Sequence, residues 1–274
     1  MASGTVIETA RVVLRDSRVL TYSEIGDPGG VPVLSCLGTP HSRIPHPEDH
    51  EVATAAGVRV IAPERPGFGR SDPAPGRTVD GWADDARQLL DALSVEAVAV
   101  VGASGGGPYA VATAAALPGR VTALALVSSG APSTAPVHGD VVPLDEEGLV
   151  ARGRQFERWL RDDPDAFFAA VGITRSDWWL RMLGEAFRQG HAAYVEDHLL
   201  NHSDWSPLLG RVGAPARVWH GELDDNIPLE AVTWMARQLP DATMTVVPGA
   251  GHDLAARWPE VLGWLRDVHR AGVR

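Results

Sequence analysis

The chain has 274 residues, with 35 acidic side chains against 24 basic ones, every one an arginine, and a formal net charge of −11. Without a basic stripe to neutralise phosphates, nucleic acid is excluded as an expected partner, and an anionic membrane surface with it. A hydrophobic fraction of 45% and a charged fraction of 22% are those of ordinary globular proteins and exclude disordered, collagen-like and fibrous classes.

The chain opens on three apolar, β-rich runs, Val6 to Leu14, Val19 to Ile25 and Val31 to Leu37. The turn sequence Gly26-Asp27-Pro28-Gly29-Gly30 separates the last two, so this start reads as antiparallel strands. A strand at Val58 to Pro63, a helix at Val79 to Leu93, a strand at Ala97 to Val101, a helix after Gly105 and a strand at Val121 to Val127 follow. Strand-helix-strand alternation demands parallel pairing, and the near-continuous Val, Ala, Leu and Ile of these strands fits a sheet covered on both faces.

From about Ser133 to Arg211 the strand signal disappears, and aromatic, arginine and carboxylate residues mix at helical spacing. Alternation resumes with a strand at Ala216 to Trp219, a helix at Leu229 to Leu239, a strand at Ala242 to Val247 and a closing helix containing Trp258, Leu262 and Leu265. The expected architecture is one α/β domain with a mostly parallel eight-stranded sheet, in two parts (1–132 and 211–274), interrupted by an all-helical cap over 133–210. Cys36 is the sole cysteine, so no intramolecular disulfide forms. Met1 to Arg15 lacks the basic start and apolar run of a signal peptide, and no apolar stretch approaches the roughly 18 residues of a membrane span. A cytoplasmic location is expected.

The sharpest local signal is Gly102-Ala103-Ser104-Gly105-Gly106, placed between a strand and a helix. By itself it reads equally as a glycine-rich turn. In that context, however, a serine on a sharp turn exposes its hydroxyl above the sheet. A serine hydroxyl needs a histidine base, and the base needs a carboxylate to orient it. His252 follows the last strand within Pro248-Gly249-Ala250-Gly251-His252, and Asp224 follows the preceding one within Gly221-Glu222-Leu223-Asp224-Asp225-Asn226-Ile227-Pro228. Singly these are a loop histidine and a turn or capping aspartate. Their order, serine then acid then histidine, each just past a different parallel strand, joins them.

These blocks, with Leu37-Gly38-Thr39-Pro40 and Pro63-Glu64-Arg65-Pro66-Gly67-Phe68-Gly69-Arg70-Ser71, resemble the α/β-hydrolase fold family over nearly the whole chain. The likeness is to its serine-nucleophile, esterase-like branch with a helical lid, a type found in soil bacteria. The resemblance implies a triad of Ser104, Asp224 and His252 and an oxyanion hole from the backbone N–H groups of Thr39 and Gly105. Leu37 stands where many relatives carry the histidine of a His-Gly pair, a loop-positioning residue. Some relatives place the acid after the strand preceding the lid, but Val127-Ser128-Ser129-Gly130 has no carboxylate there; Asp224 is favoured over Asp225 by its Gly-x-x-Asp-x-x-x-Pro spacing. Serine at the elbow argues against dehalogenase and epoxide hydrolase chemistry, which uses aspartate there.

The expected substrate is a small to medium carboxylic ester, lactone or related carbonyl compound. The same triad also serves carbon–carbon bond hydrolysis, perhydrolysis or halogenation, biosynthetic cyclisation or elimination, and receptor-like ligand binding with slow turnover. His41, Trp159, Trp178, Trp179 and Trp205 are candidates for the pocket, with packing the commoner role for each tryptophan. The lid tryptophans also offer a face on which two copies could pair as a homodimer. His198 and His202, at i and i+4 beside Asp197, lack the H-E-x-x-H pattern and read as an exposed polar helix face, not a metal site. His41, His46 and His50 fit no metal template and, with Pro45 and Pro47, suggest an irregular loop. Gly67-Phe68-Gly69 lacks the lysine and spacing of a nucleotide loop, and Glu64 and Arg65 join it as a structural turn. Neither metal nor cofactor is expected.

Overall fold

The computed structural model describes residues 6–136 and 145–273. Part of the expected cap, 137–144, lies outside them, as does the start of the chain, 1–5. Eight strands form one sheet: β1 (Ile7–Val13), β2 (Val19–Gly26), β3 (Val31–Cys36), β4 (Val58–Pro63), β5 (Val98–Ala103), β6 (Val121–Val127), β7 (Ala216–Gly221) and β8 (Ala242–Val247). Their spatial order is β1-β2-β4-β3-β5-β6-β7-β8. β1 and β2 pair antiparallel, as do β2 and β4, and every other neighbour is parallel.

The antiparallel start therefore ends at β2. β3, expected to continue it, is instead a parallel strand inside the sheet, between β4 and β5. The turn at Gly26–Gly30 leaves a one-strand gap that β4 fills. Helix α1 (Asp49–Ala56), in a stretch read as an irregular loop, supplies the crossover, and His50 lies within it with its Nδ1 accepting the Gly26 N–H at 3.1 Å.

Alternation along the central strands separates two cores. Val98 and Val100 of β5 and Leu124 and Leu126 of β6 face helices α2 (Trp82–Ala92), α3 (Gly107–Ala116) and α8 (Leu229–Gln238). Ala99, Val101, Ala123 and Ala125 face α1 and the closing helix α9 (Trp258–Gly272), where small side chains let the helices sit close to the sheet. Both faces are thus dry, as the unbroken apolar strands require.

Between β6 and β7 the described residues form four helices, α4 (Glu146–Asp162), α5 (Pro164–Val171), α6 (Asp177–Ala186) and α7 (Ala192–Asn201). Three begin on side-chain caps: Asp145 accepts from Gly148 N–H, Asp163 from Ala166 N–H and Ser176 from Trp179 N–H, a kind of contact worth about 1 kcal/mol each. Two apolar clusters attach them to the sheet-bearing part. Phe68 enters among Leu149, Phe187, Tyr194 and Val195, and Ile44 among Phe167, Phe168, Met182 and Leu183. Among the described residues no helix is long and apolar enough to cross a membrane.

Candidate active site

Ser104 sits where β5 breaks into a three-residue 3-10 turn and then α3, and its φ of 50° puts a non-glycine residue in the left-handed region. That conformation costs roughly 1–2 kcal/mol for an L-residue, so the surroundings must hold it. Small neighbours make the turn sterically feasible. A Cβ on Gly102 would lie 2.7 Å from the Ala110 Cβ, and one on Gly106 would lie 2.0 Å from the Cys36 carbonyl oxygen.

β7 and β8 deliver the other two side chains to the same edge. His252 Nε2 lies 3.0 Å from Ser104 Oγ, and its Nδ1 lies 2.9 Å from Asp224 Oδ2. The second oxygen of Asp224 accepts the backbone N–H groups of Asn226 and Ile227, both at 3.0 Å, so the carboxylate cannot rotate freely. Its side chain is fully buried. Burial works against its charge, but the hydrogen bond and charge of His252, with the Ile227 N–H, hold its carboxyl below the ordinary carboxylate range. An ionised Asp224 accepts the Nδ1 proton, which leaves the Nε2 lone pair facing the serine hydroxyl. Asp225, the alternative acid, is exposed.

Two supporting residues escaped the sequence reading. Ser128 Oγ donates to the His252 carbonyl at 2.7 Å and so fixes the backbone that carries the imidazole. His220, fully buried, has its Nε2 2.9 Å from the Ile227 carbonyl and 3.6 Å from Asp224 Oδ2. Burial lowers its pKa, and as a neutral ring it donates from Nε2 to that carbonyl, closing the Asp224 turn. A histidine at the end of a buried strand four residues before the acid was the available signal.

Thr39 and Gly105 meet beside the serine: a Cβ on Gly105 would be 2.4 Å from Thr39 Oγ1 and 2.6 Å from Asn201 Nδ2, so only glycine fits. A Cβ on Gly38 would lie 3.6 Å from the Ser104 Cβ. The loop after β3 thus lies against the elbow. Glu64 and Arg65, expected as part of a structural turn, are both buried and reach beyond it. Arg65 donates to the carbonyls of Leu37 and Gly38, and Glu64 pairs with Arg43 at 2.8 Å.

The pocket candidates fare unequally. Trp205 is 2% exposed within the main core and donates to the Asn201 carbonyl at 3.2 Å, a packing position rather than a pocket one. Trp159, Trp178 and Trp179 are half-buried and pack in the Ile44 cluster. The Trp178 and Trp179 rings are 4.6 Å apart. Trp178 also stands edge-on to His46 at 4.9 Å and lines a surface cleft of about 370 Å³ with Pro45, Pro47 and Arg181, none of them a triad residue. The half-buried His41 ring lies 6.1 Å from Trp178, with Nδ1 2.6 Å from the Ser42 carbonyl.

The expected polar face on α7 is only partly present. His202 is exposed, but Asp197 is wholly buried and His198 lies edge-on to Tyr194 at 4.4 Å. Among the described residues no group of three or more His, Cys, Asp or Glu side chains is arranged to hold a metal ion. Loss of water pushes both His41 and His198 down to about 4. Because the unfolded chain protonates these rings near pH 6.5 and the folded one does not, folding stability falls as pH drops from about 6.5 towards 4. Urea midpoints should be lower at pH 5 than at pH 7, and equal midpoints would contradict this account of the two histidines.

A family model described as alpha/beta hydrolase fold matches residues 32–255. The chain belongs to the α/β-hydrolase fold family and is an enzyme of that fold. It is 32% identical over 267 residues to a non-heme chloroperoxidase of Streptomyces lividans, covering 92% of this chain and 95% of the relative. It is 29% identical to a 2-hydroxy-6-oxononadienedioate/2-hydroxy-6-oxononatrienedioate hydrolase of Dechloromonas aromatica, covering 74% and 72%. A solved thermophilic esterase from Thermogutta terrifontis, with malate bound, aligns at a TM-score of 0.65 and 26% identity, over 95% of this chain and 99% of that one.

Proposed function

We propose that the enzyme hydrolyses a small to medium carboxylic ester, lactone or related carbonyl compound through an acyl-enzyme on Ser104. The observation that carries this reading is the continuous hydrogen-bonded line from Ser104 Oγ through His252 to Asp224, at 3.0 and 2.9 Å. His252 Nε2 takes the hydroxyl proton as Oγ bonds to the carbonyl carbon, and the carbonyl electron pair moves to its oxygen. The backbone N–H groups of Thr39 and Gly105 receive that oxyanion, a stabilisation whose single-donor loss costs about 10²–10³ in rate. Collapse expels the alkoxide, which takes the proton from His252, and the same base then activates water to release the acid. Asp224 stays ionised throughout and stabilises the imidazolium.

In this reading α4 to α7 belong to a cap over 133–210, set between core segments 1–132 and 211–274, and the partner is a small molecule in the cytoplasm. The chloroperoxidase relative favours one second reading: hydrogen peroxide replaces water in the deacylation step and a peracid leaves. A panel of p-nitrophenyl esters and lactones, run with and without peroxide, tests both. A burst of one p-nitrophenol per enzyme followed by steady turnover is the expected result. Peracid formation in preference to acid would move the assignment to the second reading, and no burst and no turnover on any member would overturn the first.

A further inference from the structure

The Thr39 N–H can serve an oxyanion only if the loop after β3 is held still, and the side chains that hold it come from elsewhere in the chain. Asp197, on α7, is completely buried. Its Oδ2 accepts Thr39 Oγ1–H at 2.5 Å and Arg65 Nη2 at 2.5 Å. Its Oδ1 accepts Arg77 Nη2 and the Tyr109 hydroxyl, both at 2.7 Å. Arg65 closes the circuit, because its Nη2 also donates to Thr39 Oγ1 and to the Gly38 carbonyl, each at 2.9 Å, and its Nη1 to the Leu37 carbonyl. Three consecutive residues of the loop are therefore tied to one ion pair. The Thr39 hydroxyl has its single proton committed to the carboxylate and a lone pair committed to the guanidinium, which fixes its rotamer.

We infer that Asp197, through Arg65 and the Thr39 hydroxyl, is the positioning residue of the oxyanion loop, so that the helical segment carrying α7 sets the reaction rate as well as covering the core. The inference rests on the proposed function. Two arginines beside one carboxylate keep it ionised despite its burial, and the Tyr109 hydroxyl and the Thr39 hydroxyl fill its remaining acceptor positions. A geometric shift of about 1 Å in such a donor can cost on the order of 10²-fold. Asp197 needs no contact with substrate to act.

Asp197→Ala leaves the buried Arg65 guanidinium without a carboxylate and Arg77 with Glu196 alone, and is expected to cost folding as well as rate, so the decisive variant is Thr39→Val. It keeps the side-chain shape, the backbone N–H and the Arg65–Asp197–Arg77 pairs, and removes the hydroxyl with its ties to Asp197, Arg65 and, at 3.4 Å, Asn201 Nδ2. On an ester turned over by the parent, kcat should fall about 10- to 100-fold with KM within about twofold. Inhibition by a trifluoromethyl ketone, which forms a tetrahedral adduct, should weaken by the same factor as kcat/KM, while the melting temperature falls by no more than several degrees, because Asp197 loses one donor but keeps both arginines and the Tyr109 hydroxyl. Thr39→Ser should recover most of the loss. A Thr39→Val enzyme with kcat within twofold of the parent, or with a loss not shared by the ketone, would overturn the inference alone. A parent without ester turnover would sink the proposed function and this inference together.

Discussion

Ser104→Ala is expected to lower kcat/KM for any ester substrate by on the order of 10⁵–10⁶, with the fold intact. Only the hydroxyl is removed, and in the proposed mechanism its oxygen forms the bond to the acyl carbon; without it, His252 and the proposed oxyanion loop can at most orient a water. Ser104 lies on a turn whose left-handed φ of 50° is less costly for glycine than for alanine, so the variant keeps the same strain as the parent and should melt within a few degrees of it. Matched melting curves and a rate loss of this size, measured on one ester, identify a nucleophile; a loss below about tenfold would not.

Asp224→Asn is expected to lower kcat about 10⁴-fold while leaving the backbone unchanged. The asparagine Oδ1 can still accept from Asn226 and Ile227, the turn contacts that Asp224 now makes at 3.0 Å. The amide nitrogen then faces His252 Nδ1 as a donor, so the imidazole must present its lone pair there and its proton to Ser104, the tautomer that cannot act as a base. His220 stands 3.6 Å from the same position, but its Nε2 is held by the Ile227 carbonyl, so it does not replace the acid. A rate loss of less than tenfold at neutral pH would show that the Asp224–His252 pairing is structural.

The elbow was legible because its residue types and spacing lie within one short stretch between a strand and a helix, although only Gly102 is forced by its chain neighbours; Gly105 and Gly106 are forced by Thr39, Asn201 and the Cys36 carbonyl, contacts that the chain order hides. The Asp224 turn was legible for the same reason, since its spacing to Gly221 and Pro228 encodes the loop. The position of β3 was not, because a hairpin-like turn does not reveal that a later strand will fill the gap between its arms. α1 was hidden by His46, Pro47 and Pro45 just ahead of it. Asp197 was the largest omission. Flanked by Glu196 and His198, it reads as one polar residue on a helix face, while its partners Arg65, Arg77, Tyr109 and Thr39 lie 88 to 158 residues away in the chain. Long-range charge pairing leaves no periodic trace.

The most direct test of an activated serine is the mass of the intact protein after exposure to a fluorophosphonate. The geometry predicts one adduct per chain, located on Ser104, and none on Ser104→Ala. An unmodified parent, or an adduct that persists in the alanine variant, would contradict the assignment of Ser104, His252 and Asp224 as a working nucleophile, base and acid.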